Sequence, residues 1–225
     1  MVDSIIELSF ISSMVSWLHR RAGKSFDVAY NDSSYSLHGK PVGLLVDHGH
    51  TSNGAAGTAF VLVGLGGLLV LWLCSRPRLG TKSFIKGLYY SWLVMTVLSA
   101  LLTLAALIAT FVITSNHAGQ IIDQGVASQL HNQPYPNYVA YPLNIWTPEN
   151  WFNAVLKLDL VHSSDRSDID LHVAVMRGWR CNLIPMFVIG LAVACLALWD
   201  ASRSRRAARY AGHNSGLAMK QDGTM

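Results

Sequence analysis

Residues 55–74 read AAGTAFVLVGLGGLLVLWLC, twenty positions without a charge, and this stretch decides the fold. At about 1.5 Å per residue such a helix reaches about 30 Å, the thickness of a bilayer's hydrocarbon core. Its apolar residues fall on every side, which suits lipid or deep burial rather than a face turned to water. Two further blocks repeat the pattern. One runs from Leu88 to Thr114, and a shorter one from Cys181 to Trp199 with Asn182 and Pro185 near its start. Asp, Glu, Lys and Arg are absent from 48–75, 87–122 and 181–199, although they make up 13% of the 225 residues. Soluble proteins carry about 25% charged residues, and three such blocks leave too little polar chain to wrap them as buried cores. An ordinary cytosolic globule, a disordered chain and a disulfide-stapled secreted domain are all excluded. The expected fold class is all-α: a polytopic membrane helical bundle of three or four spans with a helical extramembrane connection.

Working outward, the N-terminal segment 1–54 opens with a short apolar run at 4–18. On a helical wheel Ser9, Ser12, Ser13, Ser16, His19 and Arg20 gather on one side. Ile6, Leu8, Phe10, Ile11, Met14, Val15, Trp17 and Leu18 take the other, with Ile5 and Glu7 as exceptions. This fits an amphipathic helix at the interface or a first span whose serine face packs on its neighbours. A cleaved signal peptide fits the length, but no basic n-region precedes the run.

Arginine and lysine near span ends set orientation. The 75–87 connection carries Arg76, Arg78, Lys82 and Lys86, and the tail 200–225 carries Arg203, Arg205, Arg206 and Arg209. The other side has Lys40, Arg166, Arg177 and Arg180. The bias predicts a cytosolic 75–87 loop and C-terminus, with Trp72, Tyr89, Tyr90, Trp92 and Trp199 at the inner interface. Residues 19–54 and 115–180 then face the lumen or exterior, in the secretory pathway or at the plasma membrane. The sequon Asn31-Asp32-Ser33 falls on that side, making Asn31 the glycosylation candidate. Cys74, at the cytosolic boundary, is a palmitoylation candidate. Past Tyr210 the tail is expected to be disordered.

The 115–180 connection is too long for a plain loop. QPYPNYVAYP at 133–142 favours extended or turned chain. Thr147-Pro148-Glu149 then reads as a helix start, with Thr as N-cap and Pro in the first turn. A second start at Ser164, with Asp165 and Asp168, continues through Arg177 and Trp179 into the last span. The connection is therefore expected to form a helical cap; a strand-rich ectodomain is the competitor. YPLNIWTPENWFNAVLKLDL at 141–160 and MRGWRCNLIP at 176–185 resemble a pattern in small, uncharacterised multi-span membrane proteins of filamentous fungi. That resemblance implies a four-span architecture and carries no activity.

The candidate chemistry is sparse. Asp47-His48-Gly49-His50 and the set Asp159, His162, Asp165, Asp168 and His172 have side chains of metal-ligand type. Asp168 and His172 share a helix face at a spacing of four. Histidines are no denser there than chain length predicts, and no H-E-x-x-H or CxxC spacing occurs. Asp159, His162, Asp168 and His172 remain a polar cluster to test, with no catalytic, metal or cofactor assignment. Gly57, Ala59, Gly64, Gly66 and Gly67 form a small-residue strip suited to close helix approach, and Ser99, Thr103, Ala105 and Ala109 offer another on the second span. Ion-coupled transport needs ionisable groups inside the membrane, and the spans have none. The expected partners are the bilayer and other membrane proteins, with no nucleic acid. The leading expectation is a non-enzymatic assembly or accessory component. A small membrane-embedded enzyme acting on a lipophilic substrate and an oligomeric transporter or channel are the alternatives.

Overall fold

The computed structural model describes residues 1–21, 24–76, 82–139 and 145–222. Arg78, and Tyr141 and Pro142 of the proline- and tyrosine-rich stretch, lie outside the described residues. The element order is α1 (Val2–Arg21), β1 (Ser25–Tyr30), β2 (Ser33–His38), α2 (Asp47–Thr58), a π-helical turn (Ala59–Leu65), α3 (Gly66–Ser75), α4 (Lys82–Asn116), α5 (Gln124–Gln129), α6 (Pro148–Val155) and α7 (Ser163–Asp222). Three helices are long and apolar enough to cross a membrane: Asp47–Ser75, Ser83–Asn116 and Ser163–Ala207. The α-helical bundle is thus present, and each apolar block lies inside a longer helix.

Their pairing is antiparallel and can be followed from one end to the other. Near the tail end Tyr89 donates to Asp200 (2.8 Å), and Leu93 packs with Ala197 and Ala201. Higher up, Ala106 meets Ala55, Ala56, Leu183 and Met186. The Arg180 guanidinium then lies over the Phe111 ring. The buried stripe of α4 includes Thr96, Ser99, Thr103, Ala106 and Thr110. Ser99 and Thr103 therefore face inward as expected, whereas Ala105 is exposed and Ala106 takes its place. Two of the hydroxyls bond back along the helix, Thr103 to the Ser99 carbonyl (2.9 Å) and Thr96 to that of Trp92 (2.9 Å), while the Thr110 hydroxyl is buried without a partner. Gly67 seats Trp92, whose Nε1 donates to the Val63 carbonyl inside the π-helical turn (3.1 Å). Three glycines close to one turn weaken the regular ladder, and the Trp92 bond fixes the turn where it deforms.

Above the bundle sits a cap with its own core. Tyr135, Trp146 and Trp151 form a ring cluster with centroids 5.1–6.1 Å apart. Trp17 meets Phe152 edge-on at 4.5 Å. The cap is helical as expected, and it also holds the hairpin of β1 and β2. Phe26, Val28 and Leu37 are buried at 0–1% exposure, on the period of two that a half-buried strand requires. Asn31 and Asp32 both take positive φ (47° and 60°), the two-residue turn that matches strand twist. The far edge of β1 is covered too. Ala29 N–H donates to the Asp159 carbonyl (2.8 Å), and Val161 N–H to that of Asp27 (2.9 Å). Gly39 is required sterically, because a Cβ would run into the carbonyl oxygens of Arg21 and Lys24.

Both predicted helix starts are present. Thr147 Oγ1 accepts from Asn150 N–H (3.2 Å), with Pro148 opening α6. The second start opens α7 at Ser163, and this helix runs unbroken through Pro185 to Asp222, where a disordered tail was expected beyond Tyr210. The cap is bolted to the bundle by polar contacts: Asn150 Nδ2 caps the Thr114 carbonyl near the end of α4 (2.9 Å), and Glu149 pairs with Arg180 (3.3 Å) and Arg177 (3.7 Å).

Candidate functional site

The site where cap and bundle meet is built by α1. Its buried residues are Ser4, Glu7, Ile11, Met14 and Trp17, while Ser9, Ser12, Ser13, Ser16, His19 and Arg20 are exposed. A serine face packed on the bundle is therefore not what forms. The neighbours of α1 place it upright along the bundle rather than flat on a surface. Met1 lies against Gly64, Glu7 beside Asn182, Phe10 over Gly178, and Trp17 beside Asp168.

Two buried polar groups result. Glu7 is fully buried; its Oε2 accepts from Asn182 Nδ2 (2.9 Å), and its Oε1 has no partner. Asn182 also donates to the Asp3 carbonyl (3.0 Å). Trp179 Nε1 faces the same carboxyl without closing a hydrogen bond. On its other side Trp179 packs against His48 in a tilted contact, centroids 5.2 Å apart and planes at 37°, and His48 Nδ1 is buried and unpartnered. Glu7, Asn182, Trp179 and His48 thus form a polar seam at the start of the last apolar block. Sequence reasoning passed over it, although Glu7 was visible as an exception on the wheel.

The residues singled out from sequence do not form one cluster. Asp168 is structural: its Oδ2 accepts from Trp17 Nε1 (2.9 Å) and Arg21 Nε (2.8 Å). Burial works against the Arg21 charge, but Asp168 and Asp165 hold its pKa above the ordinary value. His172 stacks on Trp17 (4.4 Å, 10° between planes) and hydrogen-bonds the Asp168 carbonyl. His162 instead meets Asp27 (3.4 Å) at an exposed position. Asp159 lends its backbone to the hairpin edge and turns an exposed side chain away. Of Asp47-His48-Gly49-His50, only His48 and Gly49 are buried. Among the described residues no group of three or more His, Cys, Asp or Glu is placed to hold a metal. Asn31 stands exposed at the hairpin tip, and Cys74 is exposed near the tail end.

At the tail end three arginines lie over aromatic rings: Arg76 over Trp72 (5.3 Å), Arg203 over Trp199 (5.7 Å) and Arg205 over Tyr90 (4.9 Å). Aromatic rings paired with cations belong where hydrocarbon gives way to water. No protein-family model, curated protein or solved structure matches the chain. The class the fold defines is a three-helix membrane bundle carrying a small α-helical cap with one hairpin.

Proposed function

We propose that this chain is a non-enzymatic multi-pass membrane protein that assembles with other membrane proteins through its cap and its unfilled small-residue notches. The observation that carries this reading is the unbroken α7, which joins the cap core at Ile169 and Val173 to the tail-end cluster at Ala197 and Ala201. A partner seated on the cap shares one rigid body with the opposite end. Gly57 and Gly190 support the same reading, since nothing lies within 4 Å of where their Cβ atoms would stand. Close approach at small residues is how helices associate in lipid. The absorption of Asp168 and His172 into ion pairs and ring stacking argues against a catalytic role for them.

In our reading the tail end lies in the cytosol, and its exposed Arg76, Lys86, Arg203, Arg205 and Arg206 support that side. The cap then faces the lumen or exterior, in the secretory pathway or at the plasma membrane, and Asn31 becomes a glycan acceptor. The test is affinity purification of the full chain in mild detergent, with mass spectrometry of partners and bound lipids. A membrane-protein partner should be recovered with the wild type and lost with Gly57→Leu or Gly190→Leu, at unchanged abundance. Recovery of no partner, with a deletion-strain metabolite change reproduced by Asp159→Ala or His162→Ala, would favour an enzyme acting on a lipophilic substrate.

A further inference from the structure

A cavity of about 510 Å³ lies between the second half of α1, the 40–46 segment and the first turns of α2. That is within the roughly 300–1,000 Å³ of small-molecule sites. Its walls are chiefly apolar, with Ile11, Met14, Val42 and Leu44 among them, and none of its lining residues is acidic. Its polar side chains are Lys40, His19, His50 and Asn53 at the exposed rim and His48 in the wall.

His48 is only 4% exposed and packs against the Trp179 ring. Its Nδ1 is sealed off without a partner. A buried N–H left unpaired costs more than a bare ring nitrogen, so the proton belongs on Nε2, the nitrogen not sealed off. The ring thereby presents a fixed donor at the cavity wall. Lys40 adds a mobile positive charge, and no carboxylate in the lining opposes an anion.

Position selects the kind of anion. His48 lies seven residues before Ala55, where the first apolar block opens. At 1.5 Å per residue this is about 10 Å from the hydrocarbon, just outside a head-group layer of about 5–8 Å on each side. Val15, Val42 and Val46 line the same cavity and are 40%, 63% and 39% exposed, giving it an apolar doorway at that height.

We infer that this cavity binds a single-chain anionic lipid, its acyl chain among Ile11, Met14 and Leu44 and its acid head between His48 and Lys40. The inference does not rest on the assembly reading and holds on whichever side of the membrane the cap lies.

The test uses the full chain in detergent with photoactivatable diazirine palmitate, mapping adducts by mass spectrometry. Adducts should concentrate in 11–18 and 40–50, and unlabelled oleate should compete. Lys40→Glu and His48→Phe should each cut them at least fivefold; the first is an exposed change and the second keeps a ring against Trp179. Competition by lysophosphatidate equal to that by oleate would still support the site, assigning it to an anionic head in general. Adducts spread along the apolar blocks, labelling unchanged in Lys40→Glu, or hexadecanol competing as well as oleate would each overturn the inference.

Discussion

Trp17 Nε1 donates a 2.9 Å hydrogen bond to Asp168 Oδ2, and Arg21 reaches the same oxygen at 2.7–2.8 Å. One carboxylate therefore ties the first helix to the last. Removing it in Asp168→Ala leaves the buried Trp17 indole N–H without its acceptor and Arg21 with Asp165 alone (3.1 Å). Hydrogen bonds to charged groups contribute about 1.5–3 kcal/mol each, so a drop in detergent Tm of several degrees is expected. Asp159→Ala, at an exposed side chain, should stay within about 0.5 kcal/mol of wild type. Equal effects of the two would contradict the structural role.

Gly67 gives a sharper steric prediction. A Cβ there would stand 2.9 Å from Trp92 Nε1 and 3.0 Å from Cζ2. Gly67→Ala must push Trp92 off the Val63 carbonyl, at a cost of roughly 1–3 kcal/mol. Gly57→Ala meets open space and should be neutral or slightly stabilising through helix propensity. The two thermal melts, run side by side, decide it.

The sequon can be removed without disturbing the turn. Asn31 and Asp32 hold positive φ, so replacing Asn31 risks strain, whereas Ser33→Ala loses only a hydroxyl bonded to the Tyr30 carbonyl. Glycosidase should shift the mobility of wild type, and Ser33→Ala should run at the shifted position with the same Tm. An unshifted wild type together with a cytosolic reporter signal from a tag in the cap would reverse the orientation.

How much of this was legible in sequence depends on how far each contact reaches. The three blocks announce themselves because the absence of charge over twenty residues is a local fact. Thr147 and Pro148 likewise signal a helix start within one turn. The hairpin's alternation is local as well, Phe26, Val28 and Tyr30 interleaving with Ser25, Asp27 and Ala29; what the sequence hides is that Phe152 and its neighbours bury Phe26, Val28 and Leu37. The partners of Glu7 and Asp168 lie 175 and 151 residues away along the chain, so no spacing rule could pair them. The inward side of α4 is likewise set by contact with Leu183 and Met186, which bury Ala106 and leave Ala105 exposed.

Glu149 makes stability depend on pH in a direction opposite to the usual carboxylate. Burial raises its pKa above the ordinary 4.5, with Arg180 and Arg177 opposing. A group whose folded pKa lies above its unfolded one favours the fold fully below the unfolded value. It loses that contribution as pH rises through the folded value. Glu149→Gln removes this dependence. The Tm of wild type minus that of Glu149→Gln should therefore fall as pH rises from about 4 towards neutral. A difference that rises over the same window would show that the two arginines outweigh burial.

Glu7 carries the last prediction, because its surroundings ask for an acceptor and not for a charge. Asn182 Nδ2 needs Oε2, yet no ion pair reaches Glu7 among the described residues, and Oε1 is unpartnered. A buried charge without a cation costs several kcal/mol, while a neutral amide of the same shape keeps the bond to Asn182. Glu7→Gln should consequently match or exceed wild type in thermal stability. Glu7→Leu keeps the volume but leaves an Asn182 donor unpaired, an expected loss of about 1–3 kcal/mol. The Asn182→Leu background makes the two separable: there Glu7→Leu should cost less than in wild type, by the energy of the lost pair. Equal costs in both backgrounds would mean that Asn182 does not hold Glu7, and the seam between the first helix and the last span would need another fastening.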